Sequence, residues 1–322
     1  MNVLIVAPNW LGDAVMALPA IADVRRASPG RSITVAARPS VRGLFSLVPD
    51  VNAHVGRVTS GYDAALLLPN SFRAAFDVWR ARIPERWGYR TDCRGPLLTR
   101  AVAHPPRGVH QIEYYQQLVK ALGFSNAASE PRLEVIDEVR DEGQRALTGA
   151  GWDGRSPLVA LAPGAAYGGA KRWPPEYFAE LAAALQADGV ATVLVGSAAD
   201  AVAGREIESE LRRLRAERGG SRTLNLIGAT DLQTLAGVLA NCRGIVTNDS
   251  GAMHLAAALG VAVTAVFGPT DERATGPRGS AHAVLANPVV CRPCMLRECP
   301  IDHRCMRGVP VAAVLAEARR TL

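Results

Sequence analysis

Short, fully apolar segments alternate with helical ones along this 322-residue chain, and the alternation restarts once near residue 155. Strands buried on both faces read as continuous runs of Val, Ile, Leu and Ala, because helices cover a parallel sheet on each side. Residues 2–7, 32–36 and 62–68 form such runs in the first half; 158–162, 190–195, 223–226, 244–247 and 261–267 form them in the second. Between them, 13–27, 112–122, 138–150, 175–187, 201–215, 232–240 and 250–259 have helical spacing. Ser71 is placed to cap a further helix after the strand at 62–68. The pattern predicts an α/β chain of two Rossmann-like, doubly wound domains facing across a cleft. A ligand then binds outside the carboxyl ends of the strands.

Composition narrows the class. Hydrophobic residues make up 48% of the chain, enough for two cores and too many for a disordered protein. No apolar run approaches the ~18–20 residues that span a bilayer. The opening Asn2-Val3-Leu4-Ile5-Val6 reads as a strand rather than a secretory leader, so a cytoplasmic location is expected. The formal charge is +6, carried almost wholly by arginine, since Lys120 and Lys171 are the only lysines. Position says more than the total. From Arg73 to Arg107 there are eight arginines (73, 80, 82, 86, 90, 94, 100 and 107), opposed by Asp77, Glu85 and Asp92. Such a stretch favours an anionic partner: a phosphorylated substrate, a membrane surface or nucleic acid.

Three segments follow strands and carry chemistry. In Asn9-Trp10-Leu11-Gly12-Asp13, Gly12 permits a tight turn and Asp13 opens a helix, either as a cap or as a carboxylate able to take a proton. The dinucleotide fingerprint G-x-G-x-x-G is absent here, which argues against a nicotinamide enzyme. In the segment 162–174, Gly164, Ala165 and Ala166 are small enough to let backbone N–H groups approach a phosphate, and Lys171 adds a compact positive charge. In Thr247-Asn248-Asp249-Ser250-Gly251-Ala252-Met253-His254, a strand ends and a helix begins, so the free amides at Ser250 and Gly251 form an anion site. His254 lies one turn on, as a ligand contact or as a satisfied core histidine. A fourth feature is the run Cys291, Cys294, Cys299 and Cys305, with His303 nearby. Four thiolates in a short loop suit a structural Zn²⁺; a reduced structural or redox-linked cluster is the other reading.

Taken together these segments resemble glycosyltransferase family 9, the ADP-heptose:lipopolysaccharide heptosyltransferases. The resemblance rests on Ala7–Asp13, Leu68-Pro69-Asn70-Ser71-Phe72, Lys171-Arg172-Trp173-Pro174, Thr247–His254 and Phe267-Gly268-Pro269-Thr270. The Leu-Pro-Asn-Ser-Phe segment, Arg86–Arg90 and the cysteine loop look most like the heptosyltransferase II branch. The resemblance implies a GT-B fold with domains at 1–150 and 151–308 and a terminal helix, 309–322, returning to the first. It implies Asp13 as base, and Lys171 as the group that neutralises the departing ADP. Gly164, Ala165, Ala166, Asp249, Ser250, Gly251 and His254 would surround an ADP-heptose donor. The acceptor implied is anionic heptosyl-Kdo-lipid A at the inner face of the inner membrane, and the reaction inverts the anomeric centre without a cofactor. Heptosyltransferase I differs in acceptor rather than chemistry. The reading from another class, a basic nucleic-acid-binding protein, lacks a recognition motif to support it, so no nucleic-acid partner is expected.

Overall fold

The computed structural model describes residues 2–106, 108–125, 130–218 and 223–322. The chain forms two compact units, Met1–Glu134 and Val135–Leu322. Among the described residues each unit carries a six-stranded sheet whose neighbouring strands are all parallel.

In the first unit the strands are β1 (Val3–Val6), β2 (Ile33–Ala36), β3 (Ala53–Val55), β4 (Ala64–Leu67), β5 (Glu85–Tyr89) and β6 (Arg100–Val102), in the order β3-β2-β1-β4-β5-β6. Every residue of β2 and β4 is buried. The helices are α1 (Leu11–Met16), α2 (Leu18–Arg26), α3 (Pro39–Arg42), α4 (Phe72–Arg80) and α5 (Gln111–Ala121). The predicted helix at 13–27 is two helices. Pro19 has no N–H to donate into a continuous ladder, so the chain breaks at Ala17 and Pro19 serves in the first turn of α2. Ser71 caps α4 as predicted, its hydroxyl accepting from the Ala74 N–H at 3.3 Å.

The second unit repeats the plan. Its helix α6 (Asp137–Gly149) precedes the strands β7 (Leu158–Ala162), β8 (Ala191–Leu194), β9 (Leu224–Asn225), β10 (Gly244–Asn248), β11 (Ala262–Phe267) and β12 (His282–Ala286). Their order is β12-β11-β10-β7-β8-β9. The remaining helices are α7 (Pro175–Ala187), α8 (Ala201–Arg218), α9 (Leu232–Ala240), α10 (Gly251–Ala258), α11 (Glu272–Thr275), α12 (Arg304–Arg307) and α13 (Val311–Arg319). A core around Trp173, Phe178, Leu181, Ile207 and Met306 joins the α7–α8 side to α12 and α13.

Two boundaries differ from the expected ones. The first unit ends at Glu134 rather than near 150, because α6 packs on α9. The two helices meet at Gly143 and Gly237, where any side chain would strike the opposing backbone. The terminal helix also belongs to the second unit: α13 packs on α7, β10 and β11, with Val314 and Ala318 buried in the core just described. Arg107 lies outside the described residues. No helix among the described residues is long and apolar enough to cross a membrane.

Candidate active site

Each sheet reverses its direction of winding at one point, between β1 and β4 in the first unit and between β7 and β10 in the second. The loops leaving two adjacent parallel strands diverge there and leave a crevice at the carboxyl edge, the usual place for a ligand in such sheets. The residues predicted to carry chemistry follow β1, β7 and β10.

In the first unit, Asp13 stands in the first turn of α1, half-exposed, two helical residues in from Leu11. It is not alone. Tyr115, from α5, is 4% exposed and hydrogen-bonds the Asp13 carboxylate. Burial pushes the Tyr115 phenol well above its ordinary range, and the negative charge of Asp13 pushes it further. The phenol therefore stays protonated beside the carboxylate. Sequence reasoning missed Tyr115; the pair Tyr114-Tyr115 inside a helix is the only trace of it.

In the second unit, adjacency of β7 and β10 brings the two predicted loops together. Lys171 Nζ lies 2.5 Å from Asp249 Oδ2, and both side chains are largely buried, at 12% and 6% exposure. The Thr270 hydroxyl, at the end of β11, donates to the same carboxylate oxygen at 2.6 Å. Asn248, fully buried, ties the strand ends: its amide nitrogen donates to the Pro163 carbonyl at 2.7 Å, and its oxygen accepts from the Trp173 N–H at 2.9 Å. Ser250 occupies the cap position of α10 without capping it; its hydroxyl pairs with Thr247 at 3.0 Å instead. The first-turn amides of α10 thus have no side-chain cap, and they carry the positive end of the helix dipole. His254 is buried, at 6% exposure, one turn further along α10.

The first loop is more structural than expected. Gly164 lacks a side chain because the Asp200 carboxylate occupies the place of its Cβ, and Asp200 is itself fixed by a capping box with Ser197. Ala165 is buried and Ala166 is exposed, so only Ala166 presents its side chain to solvent.

A buried cation paired with a carboxylate beside an uncapped helix start has the chemistry to meet an anion and hydroxyl groups. Comparison with known proteins fits this chemistry. Residues 53–304 match the family model described as glycosyltransferase family 9 (heptosyltransferase). The chain belongs to glycosyltransferase family 9. The matched span includes Lys171, Asp249 and Thr270, and Asp13 precedes it. The lipopolysaccharide heptosyltransferase 2 of Salmonella typhimurium is 35% identical over 88% of each chain. The structure of E. coli ADP-heptose lipopolysaccharide heptosyltransferase II superposes with a TM-score of 0.85 at 30% identity, covering 100% of this chain and 98% of that one. The E. coli heptosyltransferase WaaC with ADP, at 21% identity, shares the fold with a TM-score of 0.72 over 100% of both chains. The two parallel sheets are those of the GT-B fold.

In this family 9 enzyme the residues between the cysteines contact the segment that carries Lys171. Cys291 and Cys294 are exposed, Cys299 is half-buried, and Cys305 is buried in the second unit's core; all are free thiols. Burial raises the Cys305 thiol, and its neighbours Cys291, Cys299 and Cys294 raise it further. Among the described residues no group of three or more His, Cys, Asp or Glu is arranged to hold a metal ion.

What the loop does is fasten the site. The Arg297 carbonyl accepts from the Ala170 N–H at 2.9 Å, Glu298 accepts from the Gly169 N–H at 2.9 Å, and the Met295 carbonyl accepts from the Tyr167 hydroxyl at 2.7 Å. His303 bonds the Ala170 carbonyl at 2.7 Å rather than joining the cysteines. Lys171 and Arg297 both approach the Tyr167 ring, 4.8 and 5.4 Å from its centroid. On the other side, Arg292 donates to the Gly268 carbonyl at 2.9 Å and to Glu272 at 2.7 Å. One loop therefore grips both the Lys171 segment and the Thr270 segment. Gly168 makes the grip possible, because a Cβ there would strike the Arg297 carbonyl oxygen. Gly168→Ala is expected to cost about 1–3 kcal/mol of stability through this overpacking, and to lower the transfer rate as Lys171 shifts. Thermal unfolding and steady-state kinetics test this; an unchanged melt together with an unchanged rate would show that the grip is dispensable.

The arginine-rich stretch divides in two. Arg94 is fully buried and donates to the carbonyls of Tyr89, Pro69 and Ser71. Arg86 donates to those of Leu97, Ile83 and Pro84, and Arg100 to that of Leu122. These three are structural. Arg73 pairs with Asp77. Arg80, Arg82 and Arg90 are exposed.

Proposed function

We propose that this enzyme transfers a heptosyl residue from ADP-heptose to the first heptose of the lipopolysaccharide inner core, inverting the anomeric centre. The observation that carries the reading is the 35% identity to the Salmonella typhimurium lipopolysaccharide heptosyltransferase 2 over 88% of both chains. Likeness to the E. coli heptosyltransferase II structure supports it.

The residues fit a single displacement. Asp13, oriented by Tyr115, takes the proton of the acceptor hydroxyl as its oxygen attacks the anomeric carbon. The bond from that carbon to the diphosphate oxygen breaks on the opposite side, and ADP leaves with the electron pair. Lys171 neutralises the charge that develops on ADP. The amides of Ser250 and Gly251 hold phosphate, while Asp249 accepts hydrogen bonds from donor hydroxyls, with His254 beside the same site. The Lys171–Asp249 pair keeps two buried charges satisfied until the donor arrives. No metal is needed in these steps, because lysine and helix dipole do the work that a bound cation does in other nucleotide-sugar enzymes.

The acceptor side calls for positive charge, since Kdo carboxylates and lipid A phosphates are anionic. The exposed arginines of the 73–107 stretch meet that need, at the cytoplasmic face of a membrane where the lipid-linked acceptor resides. The test is a transfer assay with ADP-heptose and two acceptors, Kdo-lipid A with and without the first heptose. Transfer to the heptosylated acceptor alone is the expected result. Transfer to the bare acceptor alone would assign the chemistry of heptosyltransferase I, and failure to bind ADP-heptose would remove the donor.

A further inference from the structure

Helix α4 buries one face and leaves a second apolar face uncovered. Ala75 and Val78 are buried with the sheet residues Leu4, Ala65 and Leu67. Phe72, Phe76 and Trp79, spaced i, i+4 and i+7, form a separate stripe on the outside. They are 45%, 36% and 49% exposed, and their rings run together with centroids 6.2 and 5.7 Å apart. Three contiguous exposed aromatic rings mark an interaction surface rather than scattered surface hydrophobes. By helical position, Arg73 and Arg80 border the stripe on the side away from the core, and Arg82 follows. Two carboxylates lie beside them: Asp77, engaged by Arg73, and Asp92, which accepts from the Phe72 N–H at 2.5 Å at the start of the helix.

We propose that α4 is a docking helix for an anionic lipid bilayer, with Phe72, Phe76 and Trp79 seated at the boundary between headgroups and acyl chains. The arginine flank supplies the charge complementarity, since basic side chains beside an aromatic apolar face favour a surface of lipid phosphates. The choice of a bilayer over a protein partner rests on the lipid-linked acceptor proposed above. The placement suits that reaction. The strand before α4, β4, lies parallel to and beside β1, so the start of α4 and Asp13 stand at the same edge of one sheet. Docking through α4 brings the carboxyl edge of this unit to the lipid surface, where the acceptor sugar emerges.

The test uses the full-length protein with no donor or acceptor present. It is sedimented with vesicles of phosphatidylcholine alone and with vesicles that also contain phosphatidylglycerol. Partitioning is expected to be at least about tenfold stronger onto the anionic vesicles and to weaken with added salt. The double substitution Phe76→Ser, Trp79→Ser should reduce that partitioning about tenfold, with an unchanged thermal melt and unchanged transfer to a water-soluble, deacylated acceptor. Failure of the unsubstituted protein to sediment with anionic vesicles overturns the proposal. So does equal sedimentation of the substituted protein. A loss of self-association in the substituted protein, with vesicle binding unaltered, would assign the stripe to a second copy of the chain and overturn it as well. Transfer to the deacylated acceptor is scored separately, so a wrong acceptor and a wrong docking surface give different results.

Discussion

Asp13→Ala is expected to lower the transfer rate by about 10²–10⁴-fold, the usual contribution of a positioned base, and to leave ADP affinity nearly intact. The second half follows from where the groups stand. Lys171, Asp249 and the start of α10 belong to one unit, and Asp13 with Tyr115 belongs to the other. A change confined to a half-exposed carboxylate in the first turn of α1 leaves untouched the packing that holds the loops carrying Lys171 and Asp249. Asp13→Asn is the sharper form, because the amide keeps the shape and removes the proton acceptor. Rapid-quench kinetics beside calorimetric ADP titration gives both readings. A variant as fast as its parent would take Asp13 out of the reaction.

The second large effect is at Lys171. Lys171→Met is expected to reduce kcat by about 10²–10³-fold, the scale seen when one preorganised group facing developing charge is removed. It should also weaken ADP binding, which separates it from Asp13→Ala. Stability should fall too. Asp249 is 6% exposed, and with the ammonium gone only Thr270 remains bonded to its carboxylate among the contacts described above. Leaving a buried charge without its partner commonly costs ~3–5 kcal/mol. A lower melting temperature that ADP fails to restore, with slowed transfer, is the combined expectation. Full activity with only the melt lowered would reduce Lys171 to a structural counter-ion.

The central strands were legible in the sequence because their environment is uniform. Leu158–Ala162 is buried at every residue, and an unbroken apolar run is what such a place demands. Helices α7 and α9 begin and end where their Pro, Asp and apolar spacing put them. The strands β3, β5, β6 and β12 escaped notice for the opposite reason. They occupy the outer positions of the two sheets, where polar residues such as Glu85, Arg86, Arg100 and His282 are admitted, and the apolar runs left in them are short. The site shows the same division. Asp13, Lys171 and Asp249 were visible as polar residues just after strands. Tyr115 was not, because its partner lies 102 residues away in a different helix and only packing brings them together. The cysteines drew attention as ligands through their spacing, whereas the structure uses the carbonyls and side chains between them: Met295, Arg297 and Glu298.

That arrangement has a consequence for exchanging parts between relatives. The 163–174 segment looks like a portable cassette, since it leaves one strand and enters one helix. Its Tyr167, Gly169 and Ala170 are matched atom for atom to residues some 130 positions later in the chain. A graft of this segment alone arrives without its counterpart, and a lysine taken from another enzyme will hang from a backbone that nothing holds. The transplantable unit is discontinuous: both stretches, 163–174 and 290–303, have to travel together.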